Sequence, residues 1–415
     1  MHTAHFDIVF LGDSLAARMG AALTAKHGRR VLLLTTPFHI DPWQHASLFV
    51  DSLINALGSR DLVPAARRPF QVLSGRARIA VDPALPLADE LAREFGGAAA
   101  TVGTLLDEFE LTGTFLAEML WRHGGLPAAG LRGALAWRWL CLRHQLPLAT
   151  LARPLAGRLQ GLPGAAGEWL TDLFQGLSLQ PLADLTVADA ALLWADALRP
   201  GAMNGEELLR LLHKRFEQFH GTELRIDEVE SLRYTHGHWS ATLPGGRHFQ
   251  AEQLVLGDLG QALPGGFPLP QHALFPPPGQ FRVAPIDGQF SSLLANRVIV
   301  GGARPLRLSI VTADGRTAGE ISCGSGTDEM EARRQLEPVF PFFRQPLEAE
   351  PASRRPPAAQ SKLRPSLFRL PLHLGNHLWC VDETRLAPQL GSGGAALLAW
   401  SLARHLAPTL DRHGD

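Results

Sequence analysis

The stretch from Phe6 to Thr36 limits most tightly what this chain can fold into. Phe6-Asp7-Ile8-Val9-Phe10-Leu11 is a short apolar run, and Gly12-Asp13-Ser14-Leu15-Ala16-Ala17 is a turn of small residues. Arg18 to His27 has helical spacing, and Gly28 stops it before a second apolar run, Val31-Leu32-Leu33-Leu34. Strand, turn, helix, strand is the order of a parallel pair, which needs a crossover and takes it right-handed. The turn opens a helix, whose first amides are unpaired and whose dipole is positive, and small residues let a pyrophosphate approach that backbone. The unit is a candidate dinucleotide cradle. Against the fingerprint G-x-G-x-x-G, Gly12 keeps the first glycine, Ser14 stands at the second and Ala17 at the third. The acid expected about twenty residues on falls on Thr35. A βαβ unit that only supports the fold stays open as the other reading.

At 415 residues the chain exceeds the usual size of one core, which points to two domains or one with large insertions. A formal net charge of −1, with 46% hydrophobic and 19% charged residues, gives no global pull toward nucleic acid or an anionic surface. Cys141, Cys323 and Cys380 are far apart and odd in number, which argues against a disulfide framework or zinc site and suits a reducing cytoplasm. His236-Gly237-His238 lacks acids or cysteines at ligand spacing and reads as a hairpin turn, so no metal is expected. No signal peptide and no run long enough to span a bilayer is visible.

Further along, Phe70 to Leu73 and Arg76 to Val81 alternate as a hairpin, and Leu87 to Phe95 is helical. Thr101 to Leu198 reads as a helical insertion broken by Gly and Pro. Within it Leu135 to Leu159 mixes Trp137, Trp139 and arginines: a helix lying in a lipid interface, or one packed on its own domain with arginine stems along it. The packed helix is the expectation. A turn at Pro200 to Gly205 leads into a helix over Glu206 to His220, capped by Gly221, then four short strands ending at Gly257. Helix, strand, antiparallel excursion, strand returns the chain to a parallel sheet. Leu263 to Gly279 and Arg354 to Pro357 read as connections. Strands are expected over Arg297–Val300, Leu306–Val311 and Ala318–Ser322, and a helix over Asp328–Val339. Near the end, a strand Leu378 to Asp382 precedes Pro388-Gln389-Leu390-Gly391-Ser392-Gly393-Gly394 and an apolar helix from Ala395 to Leu406. A glycine-rich loop again aims free amides at something.

In this order the pieces resemble the FAD-dependent amine oxidase and phytoene desaturase superfamily along most of the chain. The carriers are the N-terminal βαβ, the Pro200 to Met203 turn with Gly221 to Val229, and Val381-Asp382 followed by Pro388 to Ala395. The resemblance implies an α/β fold in which a Rossmann-like FAD/NAD(P)-binding domain (1–60, 200–262 and 355–415) carries a discontinuous α+β substrate domain (61–199 and 263–354). It implies that Gly12, Asp13, Ser14, Leu15 and Ala17 hold the FAD pyrophosphate, with Thr35 at the ribose and Val229 at the adenine. Asp382 would reach the ribityl or phosphate region, and Leu390, Gly391, Ser392, Gly393, Gly394 and Ala395 would cap the flavin ring. No catalytic side chain is assigned. The implied activity is hydride transfer to flavin from an apolar small molecule, in the cytoplasm, with no nucleic acid and with peripheral membrane contact and a protein partner left open. A flavin-free binding protein on the same fold, like the GDP-dissociation inhibitors and Rab escort proteins, and a complex-forming subunit with a vestigial nucleotide domain are the alternatives.

Overall fold

The computed structural model describes residues 4–12, 14–35, 47–59, 69–82, 84–123, 131–144, 147–199, 205–226, 229–257, 279–286, 295–313, 316–324, 327–337, 347–349 and 372–407. The connections expected over Leu263 to Gly279 and Arg354 to Pro357 lie outside them, apart from Gly279 itself.

The chain opens with β1 (Ala4–Leu11), α1 (Leu15–Lys26) and β2 (Val31–Thr35), the expected unit. Ile8 to Leu11 and all of β2 are buried, as strands covered on both faces must be, and they pair in parallel from Ile8 opposite Val31 to Leu11 opposite Leu34. Next come α2 (Leu48–Ala56), the hairpin β3 (Phe70–Ser74) and β4 (Ala77–Val81), and α3 (Leu87–Phe95). The helical block holds α4 (Ala99–Arg122), α5 (Leu131–Arg143), α6 (Leu148–Leu151), α7 (Leu155–Leu159), α8 (Gly164–Ser178) and α9 (Val187–Ala197). Buried around its whole circumference, α9 starts from a capping box in which Thr186 and Asp189 satisfy each other's backbone amides.

After α10 (Gly205–Gln218) come β5 (Thr222–Arg225), β6 (Ser231–Thr235), β7 (His238–Leu243) and β8 (Arg247–Leu256). β5 joins β2 in parallel, β6 and β7 form the antiparallel excursion, and β8 returns parallel to β1. The stop of α10 differs from the expectation in detail. His220, not Gly221, takes the left-handed turn at φ 61°, and the Gly221 amide donates back to Phe216 O at 2.9 Å. Glycine is needed at 221 because a Cβ there would meet the Phe216 ring at 2.1 Å. His236 and Gly237, both at positive φ, make the expected tight turn between β6 and β7. No metal-binding group of His, Cys, Asp and Glu occurs among the described residues.

The remainder adds β9 (Gly279–Ile286), β10 (Arg297–Val300), β11 (Leu306–Ala313), β12 (Arg316–Cys323), α11 (Glu329–Leu336), β13 (Leu347–Ala349), β14 (His373–Gly375), β15 (Leu378–Cys380), α12 (Glu383–Leu386) and α13 (Gly391–Leu406). One sheet runs β14-β15-β8-β1-β2-β5 with β6 and β7 attached, and a second runs β13-β9-β12-β11-β10-β3-β4. Helix α13 packs along α1, where a Cβ on Gly20 would lie 3.5 Å from Leu402. It reaches the helical block through Trp400, which stacks on Trp121 at 4.1 Å between centroids and donates from its indole to Trp121 O. The three cysteines are free and buried, and among the described residues no helix is long and apolar enough to cross a membrane.

α5 departs from the packed-helix expectation on one side. Trp137, Leu140 and Cys141 are buried, but Trp139 is 60% and Leu142 78% exposed, and the Arg143 guanidinium lies 5.4 Å from the Trp139 ring centroid. Because those two side chains support so little packing, Trp139→Ala and Leu142→Ala are expected to change unfolding free energy by no more than about 0.5 kcal/mol each. Urea titration checks this; a loss above about 2 kcal/mol would mean that the face is covered.

Candidate functional site

In the first sheet β1 lies between β2 and β8, and the chain leaves β1 toward β2 on one side while β8 returns on the other. Such a reversal opens a crevice at the carboxyl ends of the strands. Leu11, Leu34, Leu256 and Cys380 stand in register along that edge, so the segments that follow β1, β8 and β15 converge there. Gly12, at φ 89°, turns the chain from β1 toward α1, and its amide donates to Leu34 O at 3.1 Å. Gly257 closes the crevice from the β8 side: its amide donates to Leu11 O at 2.8 Å, and a Cβ there would lie 2.5 Å from the Ala17 Cβ and 2.8 Å from Gly12 O. Gly257 was legible only as the end of a strand; its role depends on which strand lies beside the turn.

Ser14 is the N-cap of α1. Its Oγ accepts from the Ala17 amide at 3.1 Å, and its hydroxyl bonds the Glu383 carboxylate. The Leu15 amide donates to Glu383 Oε1 at 2.9 Å. The helix therefore already holds a carboxyl oxygen where it would offer amides to a phosphate. Glu383 is 9% exposed, and its Oε2 has no hydrogen-bond partner. Burial, and next the charge of Asp382, push its carboxyl up to about 8, against the bonds from its own backbone amide, Ser14 and Leu15.

The other expected residues are spread around this centre. Thr35 ends β2 in the same row of strand ends, buried, with its carbonyl accepting from the Ile226 amide at 2.9 Å. Val229 is buried on the approach to β6, Asp382 is buried directly after β15, and Asp13 lies outside the described residues. The expected glycine-rich loop is the first turn of α13, which begins at Gly391 (φ 53°) instead of Ala395. Its extra glycines have protein on their open side. A Cβ on Gly393 would meet Ser47 Oγ at 2.6 Å and Asp196 Oδ2 at 2.9 Å, and one on Gly394 would meet Ala387 O at 2.7 Å. Leu390, Ser392 and Ala395 are buried beside them.

Two acids of α9 also face this region, and the sequence reading passed over both. Asp189 accepts from Gln389 Nε2 at 3.3 Å, and Asp196 accepts from the Leu48 amide at 3.3 Å and from Ser47, capping α2. Burial raises both, Asp196 to about 7. Their spacing in an otherwise apolar helix, seven residues or two turns apart, was the available signal.

A cleft of 710 Å³ lies at the second sheet, between α7, α8 and the turns after β3 and β10. Ser74, Gln160, Glu168 and Asp172 line it. The Ser74 hydroxyl and the Gly302 amide donate to Asp172, whose carboxyl burial raises, and a Cβ on Gly301 would strike Asp172 Oδ2 at 2.1 Å. The cleft is thus an acidic recess.

The crevice fits the pyrophosphate of an FAD in two respects, a glycine turn at positive φ and a strand-end glycine against it, while Glu383 Oε1, 2.9 Å from the Leu15 amide, already occupies a donor of the helix terminus. No family model and no curated protein matches the sequence. Solved structures do match. Cyclohexylamine oxidase from Brevibacterium oxydans IH-35A is similar at 12% identity with a TM-score of 0.55, the match covering 98% of this chain and 100% of that one. Putrescine oxidase bound to putrescine is similar at 11% identity with a TM-score of 0.59, covering 99% of this chain and 100% of that one. The fold is that of the amine oxidases, from end to end.

Proposed function

Because the chain carries the amine-oxidase fold over its whole length, we propose that it is an FAD-dependent oxidoreductase that accepts a hydride from an apolar small molecule. The observation that carries this reading is the crevice at the ends of β1, β8 and β15, where a glycine turn and the N-terminus of α1 meet. Gly12, Ser14, Leu15 and Ala17 would hold the pyrophosphate, with Asp13 beside them, and Asp382 the ribityl chain. Thr35 and Val229 would flank the adenosine, and Leu390 to Ala395, at the start of α13, would meet the ring. FAD, when bound, supplies a two-electron acceptor. The positive end of the α13 dipole favours negative charge beside it, and the buried leucines and alanines of α13 and α9 exclude water. The first sheet with 1–60, 200–262 and 355–415 would form the cofactor domain, and 61–199 with 263–354 the substrate domain. The exposed face around Trp139 is where a peripheral membrane or protein contact would be sought.

The test is the absorption spectrum of freshly purified protein, with heat-released flavin identified in the supernatant. Flavin bands at about one FAD per chain are the expected result. A protein that stays colourless after incubation with excess FAD sinks the oxidoreductase reading. One observation favours a second, flavin-free binding role: the Leu15 amide is already taken by Glu383.

A further inference from the structure

The α1 terminus has one resident occupant, and it comes from the other end of the chain, 368 residues away. The resemblance assigns one acid after β15, Asp382, to the cofactor; Glu383 is a second acid with no role in it. Its Oε1 takes the Leu15 amide, and Ser14 bonds the same carboxylate. These are two of the groups that a pyrophosphate would need. An amide hydrogen serves one strong acceptor at a time, and where the carboxyl is ionised two anions at one helix terminus also repel each other. The carboxylate is also only half satisfied, because Oε2 is buried without a partner. Its hold on the site is therefore incomplete, and a ligand able to fill the whole terminus has the advantage over it.

We infer that the Glu383 carboxyl is the internal occupant of the α1 cradle, and that a dinucleotide pyrophosphate binds only by displacing it from the Leu15 amide. The inference rests on the dinucleotide reading of the crevice but is separable from flavin chemistry. Binding is set by this competition, so neutralising the residue strengthens the ligand without touching any other contact.

The experiment is a titration of FAD, and separately of ADP as a pyrophosphate without flavin, into the full chain and its Glu383→Gln variant at pH 9, where Glu383 carries its charge. Calorimetry reads affinity and thermal unfolding confirms that the variant folds. The expected result is at least tenfold tighter binding of both ligands by the variant, with Glu383→Ala shifting affinity the same way. Equal affinities, or weaker binding by the variant, overturn the inference. Tighter ADP binding by the variant with no FAD binding by either protein upholds the competition and sinks the flavin reading. Failure of both ligands to bind either protein overturns both.

Discussion

Between pH 5 and pH 8 the protein is expected to lose roughly 3–4 kcal/mol of stability through Glu383 alone, and Glu383→Gln is expected to remove that loss. The carboxyl stands at about 8 in the folded chain, against an ordinary glutamate value of 4.5. Below the ordinary value both states are protonated and nothing is lost. Between the two values the unfolded chain releases the proton and the folded one keeps it, so unfolding grows easier with each unit of pH. Above about 8 the folded group ionises too, and the curve flattens. Asp196, at about 7, acts in the same direction. Glutamine keeps the shape of the acid without the charge, so the variant should overtake the wild type as pH rises. Urea unfolding at pH 5, 7 and 9 reads this; parallel curves for the two proteins would show that Glu383 ionises freely in the folded state.

Gly113→Ala is expected to cost about 3 kcal/mol, because the added methyl has nowhere to go. Gly113 lies in α4 where it crosses α9, and a Cβ there would sit 2.0 Å from Ala191 O and 2.8 Å from the Ala195 Cβ. The nearest obstacle is backbone, which cannot rotate away as a side chain can. The contrast is Gly103 on the same helix, where a Cβ meets nothing within 4 Å. Gly103→Ala should be neutral or stabilising by about 0.5–1 kcal/mol, through the higher helix propensity of alanine. Equilibrium unfolding of the two variants side by side decides the matter. Equal effects would mean that α4 and α9 do not cross at Gly113.

The first βαβ unit, the antiparallel excursion before β8 and the return to the sheet at β15 were legible in order. Each is signalled locally, by an apolar run, a turn of small residues and a change of period. β9 and β13, side by side at one end of the second sheet, carried no such signal and went unread. The extent of α13 was misread because glycine next to glycine looks like a loop, whereas Gly393 and Gly394 are helical positions crowded by Ser47, Asp196 and Ala387.

The candidate site divides in the same way. Gly12, Ser14, Ala17 and Asp382 could be named from spacing and resemblance, since one strand end and one helix start define each. Gly257, Asp196 and Glu383 could not, because each acquires its meaning from a neighbour far along the chain. The sequence by itself determined the parallel sheet, the crossover and the place of the crevice, because these follow from short-range periodicity and chain connection. Only the tertiary structure decided what stands in the crevice: burial and long-range pairing put a glutamate from the segment after the last strand against the first helix, and no local pattern encodes that meeting.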